Sequence, residues 1–141
     1  MLQRVIIAID FSTASAQALA VARQHCTGAT IRLLHVMRPA DVAANSAAGA
    51  AHTGASPLSS RDMRDSAEQK AMERLESWAQ EGEECGLGVG NAAEEIMRQA
   101  EEFEADMIVM GTRGRSQLSN MLHGSATEWL IRHARQPVLV V

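Results

Sequence analysis

The chain has 141 residues, enough for one domain with a real buried core. Its 46% apolar and 21% charged content is a globular balance that excludes a disordered chain, and a formal net charge of −4 argues against a general DNA or RNA binder. Aromatic residues make up 3%, so the interior must be packed from Val, Ile, Leu, Met and Ala, with little ring surface for stacking bases.

In chain order, strands alternate with helices. Val5–Ile9 is a continuous, β-branched apolar run, as expected of a strand buried on both faces. Asp10 and Ser12 punctuate it, and a helix follows with Ser15, Leu19, Ala22 and Cys26 on its inner face and Gly28 placed to end it. Thr30–Met37 reads as the second strand, closed by Pro39. Residues 43 to 56 are mostly Ala, Gly, Ser and Thr, too poor in large apolar groups to offset ordering entropy, and a flexible loop is expected over about 40–59. A long helix beginning near Ser60 carries the stripe Met63, Ala67, Ala71, Leu75 and Trp78, with Arg61, Arg64, Glu68, Lys70, Glu73 and Arg74 on its solvated side.

Gly82, Gly86, Gly88 and Gly90 crowd the next connection, so the third strand is expected to be very short, around Leu87–Val89. Asn91 with Glu94 three residues on reads as a variant capping box opening a helix through Ile96, Ala100 and Phe103. Asp106–Met110 is the fourth strand. A glycine-containing loop leads to a helix from about Ser125 with Ala126, Trp129, Leu130 and His133 inward, and Pro137 introduces a last strand, Val138–Val141. Five strands separated by helices imply a single-domain, open, parallel, doubly wound α/β sheet. Cys26 and Cys85 have no metal-ligand or CxxC spacing and are expected as reduced, buried thiols. No signal-peptide core and no stretch of membrane-spanning length occurs, so the expected location is the cytoplasm.

Open α/β sheets bind ligands beyond the carboxyl ends of their strands, where strand order reverses. Two segments there carry unusual chemistry: Asp10-Phe11-Ser12, and the stretch from Gly111 to Ser125. In the second, Gly111, Gly114 and Gly124-Ser125 follow one another at intervals of two and nine residues. Glycines there let the chain turn off a buried strand and leave amide N–H groups open to an anion. Gly124-Ser125 opens a helix, whose N-terminus attracts phosphate. Ser125 and Thr127 add hydroxyls, and Arg113 lies within reach. By themselves such glycines serve a plain turn as often as a phosphate cradle. No GxxxxGK[ST] and no GxGxxG occurs.

The order and spacing resemble the ATP-binding class of the universal stress protein family, whose signature G-x2-G-x9-G-[ST] is matched at Gly111, Gly114, Gly124 and Ser125. The resemblance runs through VIIAIDFS (Val5–Ser12), LLHV (Leu33–Val36), ADMIVMGTRGR (Ala105–Arg115), GSATE (Gly124–Glu128) and PVLVV (Pro137–Val141). It implies a Rossmann-like fold that binds an adenine nucleotide, ATP in the first place. Ala8 and Asp10 would face the adenine and Val36 would pack on its ring. Met110, Gly111, Arg113 and Gly114 would line the ribose and phosphate path, while Gly124, Ser125, Ala126 and Thr127 would hold phosphates. It further implies a homodimer through Val138–Val141, an apolar edge strand. Asp10 could instead cap the following helix. His123 stands where the family usually has an apolar residue, and a surface position is preferred over one above the phosphates.

A dedicated catalyst is not expected. Hydrolysis needs a positioned base or metal over the terminal phosphate. The five histidines show no HxH or HExxH spacing, with His35 and His133 read as packed core or boundary residues. Any Mg2+ would be held mainly by phosphate oxygens and water. The expected role is nucleotide-dependent stress response or signalling, with a nucleotide-free interaction module and a slow ATP hydrolase as the rival readings. No nucleic-acid or membrane partner is expected.

Overall fold

The computed structural model describes residues 1–40, 42, 60–112 and 125–141. Its elements run β1 (Arg4–Ala8), α1 (Thr13–His25), β2 (Thr30–Met37), α2 (Ser60–Glu76), β3 (Glu84–Val89), α3 (Ala92–Glu102), β4 (Met107–Met110), α4 (Ser125–His133) and β5 (Val138–Val140). The strands form one parallel sheet in the order β3-β2-β1-β4-β5. The chain therefore builds outward from β1 in one direction, then returns to add β4 and β5 on the other side. Between the carboxyl ends of β1 and β4 the order reverses, which opens a crevice there. The loop expected over about 40–59 and the residues Arg113, Gly114, Arg115, His123 and Gly124 lie outside the described residues, apart from Ala40 and Val42.

Burial on both faces explains the unbroken apolar runs. Val5, Ile6 and Ile7 are each fully buried, yet they serve two separate cores. Val5, Ile7 and Ile9 pack with Ala18, Leu19, Ala22 and Cys26 of the α1 side and with Leu75 of α2. Ile6, Leu34, Ile108 and Met110 pack with Ala93, Ile96, Ala100 and Phe103 on the α3 side and with Leu130 of α4. Each fully buried Leu or Ile contributes about 1.5–3 kcal/mol against exposure, so the sheet is held mainly by these two layers.

The helix starts follow local chemistry. Ser12 caps α1, its hydroxyl accepting from the Ser15 N–H at 3.1 Å. Asn91 caps α3 in the same way, accepting from the Glu94 N–H at 3.1 Å, as its spacing predicts. Past the end of α1, Gly28 takes a φ of +85°, the left-handed turn that glycine permits.

Three expectations are corrected. β3 is not a short fragment around Leu87–Val89 but six residues, Glu84–Val89, paired with β2 from Arg32 through Met37. Its glycines make room instead of breaking the strand: a Cβ on Gly86 would stand 3.1 Å from Gln99 Oε1, and one on Gly88 would stand 2.3 Å from Glu95 Cγ. His133 is exposed rather than inward, stacked on the Trp129 ring at 4.4 Å and bonded through Nδ1 to the Trp129 carbonyl. At 100° per residue the inner face of α4 is centred on Thr127 and Leu130, which leaves His133 on its flank. Of the two thiols, Cys26 is buried but Cys85 is only half-buried.

Candidate functional site

The carboxyl ends of β1 and β4 are built by different means. After β1, the Ile9 N–H bonds the Leu34 carbonyl at 2.8 Å and keeps the chain in the sheet until Asp10. Asp10 Oδ1 then accepts from the Ser12 N–H at 3.0 Å and from the Ser12 hydroxyl, so the carboxylate organises the turn whose next residue caps α1. Helix capping is thus done by Ser12, with Asp10 one step behind it.

Between them Phe11 has a φ of +62°, a left-handed conformation uncommon outside glycine. Packing holds it there. Its ring lies 4.6 Å from the His35 ring and 5.5 Å, edge-on, from that of Trp78, and the Arg74 guanidinium sits 4.1 Å from its centroid. His35 is buried, and its Nδ1 lies 2.7 Å from the Ile9 carbonyl. A carbonyl can only accept, so Nδ1 carries the proton. His35 is the packed residue its strand position predicts. The Phe11 cluster joins the β1–α1 turn to the end of α2, and no spacing in the sequence brings those segments together.

After β4, Gly111 stands against α1. A Cβ there would lie 2.8 Å from both the carbonyl carbon and the Cβ of Ala14. The sequence assigns Gly111 to a sharp exit and a close ligand approach; the first demand on it is close packing of two protein segments. Its carbonyl accepts from the Thr127 hydroxyl at 3.4 Å, and the Thr112 N–H bonds the Val141 carbonyl at 2.8 Å. Thr127 is buried, so its hydroxyl ties α4 to the end of β4 instead of facing solvent.

Most of the candidate residues described here converge. Ala8, Val36 and Ala126 are half-buried against the core layer that contains Met110, so all four lie on the α3/α4 side of the sheet. Asp10 follows at the rim of β1, and Ser125 is exposed at the first position of α4. The result is an apolar floor across β2, β1 and β4, with a carboxylate at its rim and a helix N-terminus at one end. That terminus presents N–H groups that have no partner within the helix, and the positive end of the helix dipole. Among the described residues, no group of three or more His, Cys, Asp and Glu side chains is arranged to hold a metal ion, and no helix is long and apolar enough to cross a membrane.

Residues 1–141 match the model of the universal stress protein family. A universal stress protein of Bacillus subtilis is 30% identical over the whole chain and 99% of its own length. One of Methanocaldococcus jannaschii is 34% identical over 57% of this chain, a match that spans 53% of that relative. The solved structure of that archaeal protein superposes over the whole of this chain and 96% of its own at a TM-score of 0.78, with 26% identity. The same fold occurs in a universal stress protein in complex with cAMP (TM-score 0.62, 22% identity, 99% and 97% of the two chains) and in an Arabidopsis thaliana family protein with AMP bound (0.57, 19%, 99% and 90%).

Proposed function

The chain belongs to the universal stress protein family, and on that premise we propose that it binds an adenine nucleotide, ATP in the first place, in the cleft over the carboxyl ends of β2, β1 and β4. The observation that carries this reading is the convergence of Ala8, Val36 and Met110 as an apolar floor with the α4 N-terminus beside the end of β4. A flat apolar ring suits the floor, and a polyphosphate suits the helix terminus. Family proteins of the same fold with cAMP and AMP bound support the ligand class. Asp10 faces the adenine beside Ala8; Met110, Gly111, Arg113 and Gly114 line the ribose and phosphate path, and Gly124, Ser125, Ala126 and Thr127 receive the phosphates. Thr127 acts through its backbone N–H, because its hydroxyl is engaged by Gly111. Any Mg2+ would be held mainly by phosphate oxygens and water.

The protein works as a binder: occupancy of the cleft changes its conformation or its choice of partner in a stress response. A homodimer forms through β5, which lies at one edge of the sheet. Calorimetry with ATP, together with mass spectrometry of ligand released by heat, tests the binding. Micromolar affinity that disappears in Gly124→Val, with the circular dichroism of the fold retained, is the expected result. A folded wild type that releases and binds no nucleotide overturns the reading in favour of a nucleotide-free interaction module. Phosphate release that depends on Asp10 would make the protein a slow hydrolase, and sedimentation showing monomer alone would remove the dimer.

A further inference from the structure

Beyond Val36 the floor of the cleft continues onto β3. Gly88 of β3 is the register partner of Val36, and paired residues of a parallel sheet project to the same side. The space of a Gly88 side chain is taken by Glu95 from the first turn of α3, whose Cγ and Oε1 would lie 2.3 and 2.8 Å from a Cβ at that position. Glu95 therefore stands one strand beyond Val36, at the end of the cleft opposite α4. From β4 to β3 is three strand spacings, about 14 Å, room for an extended nucleotide with its phosphates at one end and its base at the other.

The Glu95 carboxylate is held by three hydrogen bonds. Oε1 accepts from Arg98 Nη2 at 2.6 Å and from Gln99 Nε2 at 3.1 Å, and Oε2 accepts from Arg98 Nε at 3.0 Å. Gln99 is buried and also donates to the Leu87 carbonyl at 2.8 Å, so it ties the carboxylate to the β3 backbone. The missing Cβ of Gly86 leaves Gln99 its place. The Arg98 guanidinium, opposed by burial and aided by the Gln99 amide, holds the carboxyl below the usual range, which keeps it ionised at neutral pH. An ionised carboxylate offers about four acceptor positions. Three are used by the described residues, and one on Oε2 remains. A surface ion pair between Glu95 and Arg98 would need no strand glycines beneath it.

We infer that Glu95 reads the base: with the ring over Ala8 and Val36 and the phosphates at α4, its carboxylate accepts a hydrogen bond from the exocyclic amine of adenine. Gln99 is the positioning residue. This inference rests on the nucleotide reading of the cleft.

The test compares ATP with purine riboside triphosphate, in which hydrogen replaces the amine, by calorimetry on the wild type and on Glu95→Leu. A charge-assisted hydrogen bond predicts that the wild type prefers ATP by about tenfold or more. In Glu95→Leu the ratio falls to about one, because affinity for ATP drops while affinity for the analogue holds. Gly88→Ala, which displaces the Glu95 side chain without altering its charge, lowers the ratio in the same direction. A wild-type ratio near one, or a tenfold ratio that survives in Glu95→Leu, overturns the assignment while leaving the cleft a nucleotide site. Failure of the wild type to bind either compound sinks the cleft reading itself, and this inference with it.

Discussion

Gly88 and Gly111 both sit at the carboxyl ends of strands, and neither has space for a Cβ, but what fills the space differs. At Gly111 the obstacle is the backbone of Ala14, at 2.8 Å; at Gly88 it is the Glu95 side chain, at 2.3 Å. The shorter contact is the cheaper one to relieve. Glu95 can turn about its own χ angles, whereas Ala14 can retreat only by moving α1 off the sheet. One glycine is demanded by the fold, while the other is a place kept for a chemical group.

Chemical denaturation of single variants tests that contrast. Gly111→Ala carries the largest expected effect, a loss of about 2–3 kcal/mol from overpacking; a loss below about 0.5 kcal/mol would mean that α1 yields as easily as a side chain does. Glu83→Gln comes next and shows what a carboxylate more deeply buried than that of Glu95, with three hydrogen bonds, is worth. Glu83 accepts from Arg23 Nε and Nη2 at 2.7 Å and from the Gln80 N–H at 2.8 Å, with its side chain 9% exposed. Loss of these charged hydrogen bonds should cost about 1.5–2 kcal/mol at neutral pH.

The pH dependence of the same variant has a definite sign. Burial raises the Glu83 carboxyl, but the Arg23 guanidinium and the Gln80 amide outweigh it and leave the native value below the usual range. A carboxyl depressed in the native state stabilises fully above its unfolded pKa of about 4.3, and that stability is lost as pH falls through the lower native value. The acid limb of the wild-type stability profile should therefore be steeper than that of Glu83→Gln. Parallel limbs would show that Glu83 is not held as described.

Gly88→Ala is expected to cost only about 1 kcal/mol, with its larger signature in base discrimination. A loss matching that of Gly111→Ala would erase the distinction between the two glycines. Asn91→Ala, which removes the cap of α3 and loosens the turn carrying Glu95, should cost about 0.5–1 kcal/mol. If it also weakens base discrimination, the position of Glu95 depends on helix capping as well as on Gln99.

Much of this was legible in one dimension. Apolar runs such as Val5–Ile9 declare a strand buried on both faces, and Ser12 and Asn91 mark helix starts, because these signals arise from neighbours within a turn or a strand. The spacing of Gly111 and Ser125 and the resemblance it carries led to the rim where Ala8, Val36, Met110 and Ala126 meet. Glycine-rich β3 is longer than its sequence suggests, because a glycine that breaks a strand and one that admits a neighbour look alike in sequence. Phe11, His35, Trp78 and Arg74 went unconnected as a group, since they come from three separate segments.

By itself the sequence determined the alternation of elements, the parallel sheet and the end of it that carries the candidate site, since periodicity, caps and glycine spacing are properties of nearby residues. The tertiary structure alone decided that Gly111 faces Ala14, that the Thr127 hydroxyl is spent on the Gly111 carbonyl, and that Glu95 occupies the place of a β3 side chain next to Val36. Each of those contacts joins segments brought together by the order of the strands, and no local propensity encodes such a meeting.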